Sequence, residues 1–175
     1  PKAHPDGYMM SAMSAQPLTS SHWKTDSQRA QMLKAIKAFE PTWKLPMEKF
    51  SDWHVLAFDS TMNPRCYYYE KPLIILQDSG TFSAGDIFIG GFKGLKNTTL
   101  MGMPSGGGNG WMDSYSLPNT GLGFVLCQSA KFLPSGQPYD GVGVAPDIEM
   151  EALPSDLFGD SDSVLDAALK WLGGK

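Results

Sequence analysis

Cysteine is scarce in this chain: Cys66 and Cys127 are the only two among 175 residues. Two cysteines make no disulfide framework, and their separation does not match a metal-ligand pair. A single bridge and two separate core thiols both remain open. Histidine is almost as rare, and His4, His22 and His54 form no pair at metal-binding spacing, so neither a metal nor another cofactor is expected. Charge is thin as well, with Asp, Glu, Lys and Arg at 18% against roughly a quarter in ordinary domains. Its sign is slightly negative, 14 basic residues against 18 acidic ones, and a chain without a basic stripe lacks the field that nucleic acid requires. Long apolar runs are missing too. The purest, Leu73 to Leu76, suits a short strand and falls far below the ~18 residues that span a bilayer. The chain starts at Pro1 without a signal peptide, and reads as cut from something longer. Sparse charge together with many Ser, Thr, Gly and Pro suits a secreted, extracytoplasmic surface.

What the chain does have is apolar material. Hydrophobic residues reach 42%, with nine Phe, six Tyr and five Trp, which excludes a disordered chain and fits about one domain at this length. Residues 1 to 24 show no firm periodicity and read as irregular or a frayed helix. Asp26 offers an N-cap, after which Met32, Leu33, Ile36 and Phe39 recur at helical spacing until Pro41. From Pro41 to Lys71 the sequence is aromatic but aperiodic, with Trp43, Trp53 and Tyr67-Tyr68-Tyr69, a long excursion over the core. The middle is sharper. Pro72 to Gln77 predicts a strand buried on both faces, Ser83 to Leu95 a helix, and Thr98 to Gly102 a second strand. This is a βαβ unit in a largely parallel sheet. Leu122 to Phe132 alternates, with Phe124, Leu126, Ala130 and Phe132 on one face. Asp162 to Leu172 is a final helix with Leu165, Ala168, Leu169 and Leu172 as its stripe and Gly173-Gly174 as its stop.

The turn Asp78-Ser-Gly-Thr-Phe-Ser-Ala-Gly-Asp86 is where chemistry is expected. A serine at the first turn of a buried helix lies beside unpaired N–H groups and the positive end of the helix dipole. There the Ala84 N–H can stabilise an oxyanion. The plainer alternative is that Ser83 only caps the helix. The hydrolase elbow needs glycine two residues either side of the serine; Gly85 fits and Thr81 does not. The Gly-rich run Ser105 to Gly110 lacks the Lys-Ser or Lys-Thr of a phosphate loop, and suits close backbone packing or a mobile active-site loop. The acidic stretch Asp147 to Asp162 lacks the glycine and glutamate of a calcium loop and reads as a solvated face.

Two signatures then combine. Lys71-Pro-Leu-Ile-Ile-Leu-Gln-Asp-Ser-Gly-Thr-Phe-Ser-Ala-Gly-Asp-Ile87 resembles the nucleophile segment of the C-terminal-processing (tail-specific) and tricorn-like serine peptidases, a strand leading into Thr/Ser-x-Ser-Ala-x-Glu/Asp at a helix start. Pro134 to Ile148, with Asp140-Gly-Val-Gly-Val-Ala-Pro-Asp147, resembles that family's closing glycine and Pro-Asp signature, and Met101 to Gly108 matches the strand and loop between them. The likeness is good from about Lys71 to Met150 and weaker over Gly7 to Ala38. It implies an α/β fold with a crotonase-like ββα spiral core, the βαβ unit carrying the nucleophile, incomplete at the N-terminus. The whole of 1–175 is then a partial peptidase catalytic domain: 1–70 a helical and loop-rich lead-in, 71–150 the nucleophile-bearing core, 151–175 the C-terminal helix.

Residue by residue, the resemblance implies Ser83 as nucleophile and the Ala84 N–H as oxyanion donor. The processing branch carries a lysine base where this chain has Gly108, and neither Lys93 nor Lys96 occupies that position, which argues against a Ser/Lys dyad. The tricorn-like branch carries a glutamate where this chain has Asp140, a shorter carboxylate able to orient a histidine; a turn role ahead of Gly141 is the alternative. Asp140 and Ser83 are then expected about 5–10 Å apart in one cleft, bridged by an imidazole. The family's histidine, its Arg-x-Asn-x-Gly-Gly segment and its PDZ module have no counterpart here. The expected substrate is a peptide or protein, and the chain alone is expected to be inactive and to self-associate through apolar surface. A non-catalytic peptide-binding or interaction module on the same fold is the competing class.

Overall fold

The structure is a computed structural model describing residues 8–13, 26–57, 69–159 and 161–174. Its centre is the βαβ unit. Strand β3 (Leu73–Gln77) and strand β4 (Thr98–Gly102) pair in parallel, Leu73 opposite Thr98 and Gln77 opposite Gly102, and helix α2 (Ala84–Phe92) connects them. A short strand β8 (Ile148–Glu149) adds to the far side of β4, also parallel. Ile89, Leu100, Leu133, Tyr139 and Val144 are buried together between these elements, with Ile75, Ile87 and Phe92 against them. Strand β3 is only half-buried, and Leu76 is 39% exposed. Its four-residue apolar run suggested cover on both faces, but only the face carrying Ile75 and Gln77 meets the core, and Leu76 points to the more open one.

A second sheet is antiparallel, in the order β2 (His54–Ala57), β1 (Tyr8–Met13), β7 (Ser129–Phe132). Strand β1 replaces part of the irregular segment expected over 1–24, whose other residues lie outside those described. Tyr-Met-Met-Ser-Ala-Met has no alternation to read. It is a strand because β2 and β7, distant in sequence, pair with it on both sides. Strand β2 likewise interrupts the expected excursion from Pro41 to Lys71. Helix α1 (Asp26–Ala38) buries Met32 and sets Ile36 beside a cluster of Leu45, Ala130, Phe132, Phe39, Phe50, Trp53 and Val55, whereas Leu33 faces solvent. Phe132 is wholly buried, with Phe39 and Trp53 edge-on to it at ring-centroid distances of 5.8 and 5.4 Å. Such edge-to-face contacts add to the apolar burial.

The alternating run 122–132 divides at Gln128. Strand β6 (Gly123–Cys127) forms a two-stranded hairpin with β5 (Met112–Ser116), while β7 leaves for the antiparallel sheet. The Gln128 N–H donates to the Trp111 carbonyl at 2.6 Å at this switch. Phe124 and Leu126 therefore do not share the buried face of Ala130 and Phe132; both are exposed. In the last helix, α3 (Ser163–Gly173), Asp162 is the N-cap, its carboxylate accepting from the Leu165 N–H. The face turned inward is Val164, Ala167, Ala168 and Trp171 rather than the expected leucine stripe, for Leu165, Leu169 and Leu172 are exposed. The acidic stretch 147–162 does more than meet solvent. Asp147 pairs with Lys93 and accepts from the Leu100 N–H, and Asp156 accepts from Leu153 N–H and Ser163 Oγ. No helix among the described residues is long and apolar enough to cross a membrane.

Candidate active site

The turn from β3 into α2 is built by its own polar groups. The Asp78 carboxylate accepts from the Gly80 N–H at 2.9 Å, Thr81 Oγ accepts from the Asp78 N–H, and the Thr81 N–H donates to the Asp78 carbonyl. This closes the loop just ahead of Ser83. Ser83 has φ 57° and ψ −115°, and it is the one non-glycine residue with positive φ among the described residues. An L-residue in that region is strained by its own Cβ. Ser83 is exposed, and its Oγ makes no capping hydrogen bond to the helix it precedes. The plain N-cap role therefore does not hold. Ala84 stands at the first helical position, where an N–H has no intrahelical acceptor.

The Gly-rich loop packs across this turn. The Gly106 N–H donates to the Thr81 carbonyl at 2.8 Å, two residues before Ser83. Asp86, three residues after it and wholly buried, accepts from Ser105 Oγ at 2.6 Å and from the Gly107 N–H at 3.0 Å. Ser105 Oγ in turn accepts from the Val144 N–H, and Gln77 Nε2 donates to the Met103 and Val144 carbonyls. The Gly107 carbonyl accepts from the Gly141 N–H at 2.6 Å, which brings the residue after Asp140 onto the same loop. Glycine is required here: a Cβ at Gly143, where φ is +78°, would stand 2.0 Å from the Ser105 carbonyl oxygen. Close packing is thus the role of this loop. A Cβ at Gly108 would lie 2.0 Å from the Phe82 ring, so a side chain there must first displace that ring.

Asp140 is half-buried, and neither carboxylate oxygen has a hydrogen-bond partner of full geometry among the described residues. Burial raises its pKa to about 6; Lys131 and the nearby N–H groups of Lys131 and Asn109 oppose that rise, and the Asp86 charge adds a little to it. Lys131 lies on β7, and its Nζ donates to the Asn109 carbonyl. Burial lowers the pKa of this amine, while Asp140, Cys127 and Asp86 act against the lowering. Asn109 is itself buried, with both side-chain amide atoms unpartnered. Burial, aided by Asp140 and Asp86, raises the Tyr139 phenol well above its usual range.

The sequence-marked residues thus gather on one loop: its Ser105–Gly107 backbone touches the segment bearing Ser83 on one side and the segment bearing Asp140 on the other. His54 is placed apart. It pairs with Ser11, and Ser11 with Lys131, so two strand spacings, roughly 10 Å, separate it from β7. Burial lowers its pKa, against a smaller upward pull from Asp52. His4, His22 and Cys66 lie outside the described residues. Cys127 is a free, exposed thiol rather than a core one. The described residues contain no cluster of His, Cys, Asp and Glu fit to hold a metal. Sequence reasoning gave no role to Asp86, Ser105, Asn109 or Lys131. The available signal for Lys131 was a lone charge between Ala130 and Phe132 in an alternating strand.

The model of peptidase family S41 matches residues 10–150, most of the chain and all of this site. A carboxy-terminal-processing protease of Bartonella bacilliformis is 32% identical over 82 residues, covering 47% of this chain and 19% of that protein. A Chlamydia pneumoniae protein is 33% identical over 93 residues, 52% of this chain and 15% of its own length. The chain therefore spans less than a fifth of either relative. Among solved structures, a candidate peptidase of Parabacteroides merdae shares the fold with a TM-score of 0.61 at 23% identity, over 71% of this chain and 38% of that one. The strained serine, the glycine loop packed across it and the carboxylate segment beyond all fall within the matched region, and the chain belongs to peptidase family S41.

Proposed function

We propose that this chain carries the nucleophile of a serine-type peptidase, with Ser83 attacking, the Ala84 N–H holding the oxyanion, and Asp140 orienting a histidine base. The observation that carries this reading is the Ser83 backbone, strained at φ 57° and ψ −115° with an uncommitted hydroxyl at a helix start. Strain of this kind aims a nucleophile at substrate. In the reaction the Ser83 oxygen bonds to the peptide carbonyl carbon and its proton passes to the histidine. The tetrahedral oxyanion sits at the Ala84 N–H, and the amine leaves with that proton, leaving an acyl-enzyme for water to hydrolyse. Gly108, with the Phe82 ring against it, favours the Ser/His/acid arrangement over a Ser/Lys dyad.

The domain reading stays as the resemblance implies it: a spiral crotonase-like core over 71–150, with 1–70 leading in and 151–175 closing. An extended peptide laid along a sheet edge is the substrate this architecture suits, and the sparse charge of the sequence supports an extracytoplasmic site of action. No histidine stands in the family's position, so turnover by this chain alone should lie near the detection limit. The exposed Trp111, Leu122 and Phe158 support self-association. The glycine at 108, where the processing branch carries its lysine, favours as a second reading a non-catalytic peptide-binding or interaction module on the same fold. A fluorophosphonate probe separates the two. Labelling mapped to Ser83 and reduced at least about 10³-fold in Ser83→Ala supports the peptidase. Labelling at another serine, or none in any context that supplies a histidine, removes it.

A further inference from the structure

Lys131 stands on β7 with its neighbours Ala130 and Phe132 turned into the aromatic cluster, and its own side chain turned the other way. On that side its Nζ donates to the Asn109 carbonyl, and the Trp111 N–H donates to Ser129 Oγ. One face of β7 thus fastens the end of the Gly-rich loop. The Lys131 carbonyl accepts from the Tyr139 N–H at 3.1 Å, which sets the next residue, Asp140, beside the same strand. Asp140 therefore meets Lys131 from β7, the Asn109 N–H from the loop, and Asp86 from α2, with the Tyr139 phenol next in sequence. Cys127 also faces the Lys131 amine. Among the described residues Lys131 is the one cation acting on this carboxylate, and burial and Asp86 both work against the carboxylate's charge.

We propose that Lys131 is a positioning residue for Asp140: its amine holds the Asn109 carbonyl and its own carbonyl holds the Tyr139 N–H, which sets the carboxylate between β7 and the end of the Gly-rich loop with the lysine as its counter-charge. This deepens the reading of Asp140 as the acid that orients a base, and rests on it. A protonated Asp140 cannot accept a hydrogen bond from an imidazolium on both oxygens, so a base held there at neutral pH requires the ionised form. The two unpartnered oxygens of Asp140 and the unpartnered amide of buried Asn109 are the acceptors and donor left for it. Lys131 is not itself assigned a proton-transfer role. Its amine is committed to the Asn109 carbonyl.

The test reads Asp140 directly. In the isotopically labelled chain its carboxyl carbon is assigned by loss of the signal in Asp140→Asn and followed by NMR from about pH 3 to 9. The unsubstituted chain should titrate near 6. Lys131→Gln keeps a donor for Asn109 but no charge, and should move the midpoint up by about one unit, a tenfold change in the ionised fraction. Lys131→Met should move it at least as far, and Lys131→Arg should restore it to within about 0.3 unit. An unchanged midpoint in Lys131→Gln, in a natively folded spectrum, overturns the proposal; so does a shift confined to Lys131→Met, which would assign the effect to the hydrogen bond alone. Should the variants unfold, the unsubstituted chain decides it. The Lys131 ammonium nitrogen must step at the Asp140 midpoint, and a flat trace refutes the coupling. If the midpoint moves as expected but Asp140→Asn leaves Ser83 labelling intact, the role of Asp140 in the reaction fails while its coupling to Lys131 stands.

Discussion

The two faces of β7 belong to two different kinds of structure. On one, Ala130 and Phe132 enter an aromatic cluster with Phe39, Trp53 and Leu45, where apolar contact does the holding. On the other, Ser129 and Lys131 fasten a glycine loop whose contacts with the serine turn and the Asp140 segment are nearly all hydrogen bonds. The first face tolerates small displacements, since dispersion and burial are non-directional. The second does not, because a buried hydrogen bond weakens steeply with angle and its lone partner is costly. One short strand therefore joins the source of stability to the source of precision, and substitutions on its two sides should fail in different ways.

Phe132→Ala should produce the largest effect, a loss of about 3–5 kcal/mol from a wholly buried ring. Denaturant unfolding reads that loss, and the fluorophosphonate rate of the still-folded fraction, measured in a context that supplies the histidine, should stay within about threefold, since the ring faces away from the loop. A collapse of labelling in folded protein would show that the two faces are not separable.

Gly143→Ala should cost less stability and more function. The added Cβ meets the Ser105 carbonyl at 2.0 Å and the residue is held at φ +78°, a conformation worth about 1–3 kcal/mol of strain. The Ser105 side chain joins Asp86 to Val144, so displacement there should reach Ser83. Unfolding free energy and Ser83 labelling, measured together, should show labelling falling further than stability predicts; parallel losses would count against the loop as a positioning device.

The smallest effect carries the opposite sign. With its pKa raised to about 6 against about 3.9 unfolded, Asp140 binds more protons in the native state between these values, so stability falls as pH rises through them. Asp140→Asn removes the cost. It should stabilise the chain by about 1 kcal/mol at pH 7, allowing for partial solvent screening, with no gain below about pH 4, while abolishing any peptidase activity. Urea titrations at the two pH values check it. A destabilised variant at pH 7 would mean that the carboxylate is better accommodated than its surroundings indicate.

Local signals carried far in some places. The apolar run and turn of the βαβ unit read directly, and Thr98–Gly102 matches its strand end to end, because propensity, turn chemistry and periodicity agree there; its helix, expected to Leu95, ends at Phe92. The stop of the last helix at Gly173-Gly174 read equally well, while Asp162, expected as its first residue, is its N-cap. Strand β1 did not, nor did the break at Gln128 or the inward face of α3. Each depends on which distant segment lies alongside, and a short polar or Met-rich stretch carries no period to announce it.

The site divides in the same way. By itself the sequence determined the motif, the order of its parts and the family, since Thr-Phe-Ser-Ala-Gly-Asp and the later Gly-x-x-Pro-Asp segment are local strings. It also determined that glycine recurs between them. Only the tertiary structure decided what those glycines admit, that Ser83 leaves its helix uncapped in a strained turn, and that Asp86 ties the loop on one flank of that serine while the Thr81 carbonyl ties it on the other. It alone placed Lys131 beside Asp140. Charge and burial act through space, and a lysine nine residues before an aspartate becomes its neighbour only when a turn folds 138–140 back along β7.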